Sequence, residues 1–266
     1  MRFLATPIAV GLPVISLFAV AAPAIAQTQP HYTVLDLGTF GTGDNSSGNG
    51  INNRGWVAGS SNSLPGGPQL AFVWGFAPSG RHSLISLGTL GGPGSAANGL
   101  NSFGEAAVTS TTALADPNGE SFCPFLARQT QCIGAVWKDG RLEALPTLPG
   151  GNNAKAWWIN DRGDVVGFSE TGIRDETCAP GTPSQVLRFE AVVWSSAGGI
   201  YALDTPAGDT VSFAWGINRN GQAVGGSGSC SNTSIPAQNP AAAHAVLWNT
   251  DGTPNDLGHQ HFLIPK

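Results

Sequence analysis

Three tryptophans, Trp157, Trp158 and Trp215, are placed to do chemistry by contact rather than by reaction. An indole face stacks on a sugar ring or an apolar peptide side chain, and its N–H donates one hydrogen bond. These three fall where the corresponding positions of earlier repeats hold Asn49, Gly50 and Asn98. They are therefore the candidate ligand contacts. Trp74, Trp137, Trp194 and Trp248 instead recur at one place in each repeat and read as packing between repeats. Four cysteines offer redox or metal chemistry, but there is no Cys-x-x-Cys and no histidine near them at ligand spacing. Disulfides are the expectation, with no metal and no cofactor. Of the three pairings, Cys123 with Cys132 inside one insertion and Cys178 with Cys230 at comparable places in adjacent repeats is the expected one. His259 and His261 could meet His31 if the chain ends converge, making a metal or acid–base cluster, although solvated terminal histidines are the plainer reading. Carboxylates are few and scattered; Asp161, Asp164 and Asp251 lie in or beside turns, where Asp serves the backbone. No Gly-x-Ser-x-Gly elbow, P-loop, His-Glu-x-x-His or EF-hand loop occurs. The expectation is a protein that is not an enzyme.

The elements that must position these residues come from an internal repeat. A Leu-Gly-Thr-(Phe/Leu) tract begins at Leu37 and Leu87, degrades at Leu145 and Leu203, and returns at Leu257. It is followed by an (Ile/Leu)-Asn-x-x-Gly unit at Ile51, Leu100, Ile159 and Ile217, with Asn-to-Asn spacings of 49, 59 and 58. A short apolar run ending near Gly or Ser comes next, then a variable insertion, then an Ala/Val segment closing on the recurrent Trp. Each run is four to six residues long and bounded by turn residues, so each repeat reads as four strands joined as a meander. Asn at position i with Gly at i+3 is the preferred occupancy of a tight turn; a ring of ligand-binding amides is the alternative reading of the four Asn.

Tandem four-stranded units of this length fit an all-β propeller, with four blades favoured, five as the alternative and an open β-repeat array as the runner-up. The units span roughly 38–87, 88–145, 146–203 and 204–258 within a single domain, 27–266. The Leu-Gly strand occurs once more than the others, and the spare copy at Tyr32 to Leu37 could add an edge strand. In a meander the Asn-x-x-Gly turns and the turns after each Trp share one face. The opposite face collects the Gly/Ser tracts and the insertions, and loops on a rigid scaffold are where function concentrates.

Composition narrows the class. Of 266 residues 11% are charged and the net charge is −5. Without a Lys/Arg cluster, nucleic acid is excluded as a partner. Residues 1–26 read as a cleaved secretion signal, with Arg2 ahead of an uncharged run and Ala24-Ile25-Ala26 at the cleavage site. No second long apolar run follows, so the mature chain has no transmembrane span and is expected outside the cell or in the periplasm.

The repeat resembles the HAF-repeat family of bacterial extracellular proteins. The residues that carry the likeness are Leu87-Gly88-Thr89-Leu90-Gly91-Gly92, the run from Ile159 to Ser169, and Ala71-Phe72-Val73-Trp74. It covers nearly all of residues 33–258, although the naming His-Ala-Phe tripeptide is never complete. The resemblance implies a secreted β-repeat protein and carries no activity with it. The functional expectation is a non-catalytic domain binding an extracellular polysaccharide or envelope component through its insertion face. A purely structural surface protein and a propeller hydrolase are the alternatives.

Overall fold

The computed structural model describes residues 32–76, 82–178, 185–231 and 242–258. The expected signal segment and His31, His259 and His261 lie outside them. The chain divides into two units, Met1–Asp36 and Leu37–Lys266. In the first, the described residues 32–36 form no strand. The spare Leu-Gly copy thus adds no edge strand, because each sheet is completed by four strands of its own.

The second unit is a four-bladed β-propeller. Blade 1 is β1 (Ser46–Ile51), β2 (Val57–Asn62), β3 (Gln69–Phe76) and β4 (His82–Gly88); blade 2 is β5 (Gly91–Leu100), β6 (Ala106–Ala115), β7 (Thr130–Lys138) and β8 (Arg141–Ala144). Blade 3 is β9 (Ala154–Ile159), β10 (Val165–Arg174), β11 (Leu187–Trp194) and β12 (Ile200–Ala202); blade 4 is β13 (Val211–Ile217), β14 (Ala223–Gly228), β15 (His244–Trp248) and β16 (Pro254–Asp256). Each is an antiparallel meander in chain order.

Each recurrent motif has a structural task. Asn52, Asn101, Asn160 and Asn218 open the first turns, and Gly55, Gly104, Gly163 and Gly221 close them at φ of 74°, 88°, 82° and 93°. The Asn Oδ1 accepts backbone N–H bonds from positions i+2 and i+4, as Asn160 does from Arg162 and Asp164. Its Nδ2 then donates across the seam to the next blade: Asn52 to Asn101 O (2.9 Å), Asn101 to Asn160 O (3.1 Å) and Asn160 to Asn218 O (3.1 Å). The Asn is thus both a turn residue and a strap between blades, which neither sequence reading anticipated. Serines at the ends of second strands hold the Leu-Gly-Thr tracts, with Phe40, Leu90 and Leu148 N–H donating to Ser61, Ser110 and Ser169 Oγ.

Small apolar residues dominate the layers between blades. Ala58, Ala71 and Val73 of blade 1 meet Ala97, Leu100 and Val108 of blade 2, and similar layers join blades 2 and 3 and blades 3 and 4. Three of the four recurrent tryptophans, Trp137, Trp194 and Trp248, belong to these layers, and Trp194 and Trp248 are buried and donate indole N–H bonds to Pro146 O (2.7 Å) and Asp204 O (2.8 Å), whereas Trp74 is half-buried against His82. The insertions add a further core on the opposite face, where Phe122, Leu126, Phe168, Phe189 and Phe213 pack around the Cys123–Cys132 bridge. Both expected disulfides form, Cys123–Cys132 and Cys178–Cys230.

Candidate functional site

Strands β1, β5, β9 and β13 line the axis, and each carries a one-residue bulge at the same place. The register against the second strand slips at Asn49, Asn98, Trp157 and Trp215. A bulge re-aims the extra side chain, and here four bulges aim four side chains toward one cavity. Backbone chemistry holds the bulges in place. Opposite them, Gly59, Gly167 and Gly225 are so close that a Cβ would lie 2.0, 1.8 and 1.9 Å from the carbonyl oxygens of Ser47, Lys155 and Phe213.

The cavity, about 350 Å³, opens on the insertion face and is built from all four blades. Asn49, Asn98, Trp157, Trp158 and Trp215 line it together with Ser47, Ser60 and Ala96, and Phe125 from the blade 2 insertion closes one side. Trp157 and Trp215 stand with ring centroids 4.5 Å apart at 44°. Trp158 lies against Gly99, where a Cβ would come within 2.7 Å of the indole. It also lines a smaller cavity of about 220 Å³ at the Asn-turn end of the axis. Asn49 Nδ2 donates to Ala97 O (3.0 Å) and Asn98 Nδ2 to Ala156 O (2.8 Å), fixing both amides. Among the described residues Asn98 Oδ1 accepts no hydrogen bond and is left for a ligand donor. All three predicted tryptophans are therefore brought together, half-buried. Asn49, Asn98 and Phe125 complete the site, and their role was not legible beforehand; the glycines facing three of the four bulges were the available signal, with Val108 in that place in blade 2.

Beneath this floor lies a lysine that composition gave no reason to single out. Lys155, on β9, is buried, with Nζ 5.4 Å from the Phe122 and Phe125 ring centroids and 5.7 Å from that of Phe168. Burial pulls its ammonium down to about 7. No carboxylate pairs with it among the described residues.

The carboxylates, scattered in sequence, are not scattered in space. Oxygens of Asp116, Glu120 and Glu170, all buried, lie within 4.8 Å of one another. They offer the hard oxygens a divalent cation takes, but they are engaged in holding loops. Asn153 Nδ2 donates to Asp116 (2.7 Å) and Glu170 (2.9 Å), and Glu120 accepts the Leu187 N–H (2.9 Å) and the Val186 N–H. The cluster thereby ties the blade 2 insertion to the blade 3 insertion. Burial, then the Glu120 charge, pushes the Glu170 carboxyl up to about 8. Position 170 corresponds to Asn62 and Thr111 in earlier blades, where Asn62 Oδ1 accepts Asp44 and Asn45 N–H bonds as Glu170 accepts those of Asn152 and Asn153.

A wider groove of about 870 Å³ runs between blades 2 and 3 on the other face. Two of its lining groups, Lys138 and Glu105, pair with each other (2.7 Å), and its Arg162 pairs with Asp164 (3.0 Å). The axial cavity is the better candidate because its half-buried aromatics and its two amides converge on one space. Compared with models of known families and with curated proteins, the chain matches no family model and no curated sequence.

Proposed function

We propose that the axial cavity of the insertion face binds a carbohydrate segment of an extracellular or envelope polysaccharide, without catalysis, in a secreted HAF-repeat-like protein. The observation that carries this reading is the convergence of Trp157, Trp158 and Trp215 with Asn49 and Asn98 on one cavity of about 350 Å³. Indole faces stack on the C–H face of a pyranose, while fixed amides accept and donate to its hydroxyls, and a neutral polar ligand needs no charged partner. The two disulfides agree with an oxidising compartment. No helix among the described residues is long and apolar enough to cross a membrane. The test is glycan-array binding followed by tryptophan fluorescence titration. Trp157→Ala and Trp215→Ala should each weaken binding about tenfold, for roughly 1–2 kcal/mol of stacking. Retention of no glycan, or binding by both variants as tight as that of the wild type, would remove the reading.

A further inference from the structure

The four blades give the protein an internal control on its own packing, and one seam fails it. At the first three seams, the second and third strands of one blade pack on the first strand of the next; blade 4 makes no comparable packing on blade 1. Side chains at equivalent positions record the difference. Ala58, Ala107 and Val166 are fully buried, whereas Val224 of blade 4 is 47% exposed. Leu87 and Leu203 are buried, whereas Leu257 is 58% exposed. On the receiving side Leu100, Ile159 and Ile217 are buried, whereas Ile51 of blade 1 is 66% exposed.

The hydrogen bonds tell the same story. Asn101 and Asn160 each use Nδ2 twice, once on a side chain of their own turn and once on the next blade's carbonyl. Asn218 Nδ2 makes the first bond, to Gln222 Oε1 (3.1 Å), and donates to no other blade among the described residues. The Asn52 carbonyl accepts from Gly55 N–H within its own turn and, among the described residues, has no cross-blade donor such as the Asn101, Asn160 and Asn218 carbonyls receive.

Blade 4 thus offers an apolar face with a spare amide donor, and blade 1 offers an apolar edge with a spare carbonyl acceptor. We infer that this is a divided interface whose occupant is a second copy of this chain, with blade 1 of one copy seated on blade 4 of the next. The argument is continuity: the same pairing is made three times inside the chain, with the same residue types in the same register. Because the two surfaces differ, the contact is heterologous, and it extends into a filament or closes into a ring of copies. It stands independently of the ligand reading, since neither Val224 nor Ile51 lines the insertion-face cavity.

The test uses Val224→Asp and Ile51→Asp, two exposed positions where the charge leaves the fold intact, as cooperative melting will verify. In sedimentation velocity from low micromolar to submillimolar protein, the wild type should pass beyond dimer as concentration rises. Each variant alone should be shifted about 100-fold or more toward monomer, because a buried unpaired carboxylate opposes docking. Mixed in equal amounts, the two variants should form a one-to-one dimer and nothing larger, since only one competent surface remains on each. A wild type that stays monomeric, variants that assemble like it, or a mixture that gives no dimer would overturn the inference. So would an Ile51→Cys/Val224→Cys chain that forms its new disulfide within a single copy, for the seam would then close on itself.

Discussion

Replacing Lys155 by Met tests the electrostatics of the insertion core most directly. Burial moves the ammonium from 10.5 to about 7, and each pKa unit is about 1.4 kcal/mol, so holding the charge in place below pH 7 costs on the order of 5 kcal/mol. The ring faces of Phe122, Phe125 and Phe168, 5.4–5.7 Å from Nζ, are the groups that face the ammonium, and the depressed value means that they do not offset its burial. A methionine of similar length removes this cost while filling the space. The sign with pH follows from the depressed folded pKa. Stability from this group is present above about pH 10.5, is lost as pH falls toward about 7, and is level below that. Lys155→Met should therefore be more stable than wild type by about 5 kcal/mol at pH 6, or some 10–20 °C in melting temperature for a domain this size. The advantage should vanish near pH 10. Urea or thermal melts of both proteins across this range, without reductant, give the difference directly, and every other titration cancels in it. A variant less stable at pH 6, or a difference independent of pH, would refute the reasoning.

Glu170→Gln should flatten the pH dependence of stability between about pH 5 and 7, since a carboxyl whose folded pKa is raised to about 8 loses stability by up to ~1.4 kcal/mol per unit as pH rises; an unchanged slope in denaturant melts would count against the acid cluster. Removing Cys178–Cys230, which closes a span of 52 residues, should cost about 4 kcal/mol, and removing Cys123–Cys132, with a span of 9, about 2–3 kcal/mol, compared as Ser pairs in urea. Asn160→Ala should destabilise the protein by about 1 kcal/mol more than Asn218→Ala, because both lose a turn acceptor but only Asn160 straps two blades. Equal losses in thermal melts would mean that the straps contribute nothing.

Periodicity made the blades legible, because every strand in a meander is bounded by its own local turn. The Asn-x-x-Gly units demanded a positive φ at the glycine, and Gly55, Gly104, Gly163 and Gly221 have it. The cysteine pairing was legible for a related reason: equivalent places in neighbouring repeats are neighbours in space. The tryptophans that broke the pattern were legible as exceptions, although nothing local said that Trp157 and Trp215 face one another. That depends on bulges, which arise from pairing between strands and leave only a glycine opposite as a trace. Nothing local joins Asp116 and Glu120 of the blade 2 insertion to Glu170 on β10 of blade 3, and Lys155 has the local sequence of any strand residue.

The sequence by itself determined the repeat, the turns, the four-stranded units and the disulfides, since each rests on short-range backbone geometry repeated four times. Only the tertiary structure decided which side chains share the axial cavity, where three carboxylates and a lysine are buried, and that the seam from blade 4 to blade 1 is left unpacked. Those outcomes depend on the angle at which one sheet meets the next. That angle is set by side-chain packing summed over whole blades, which no single motif records.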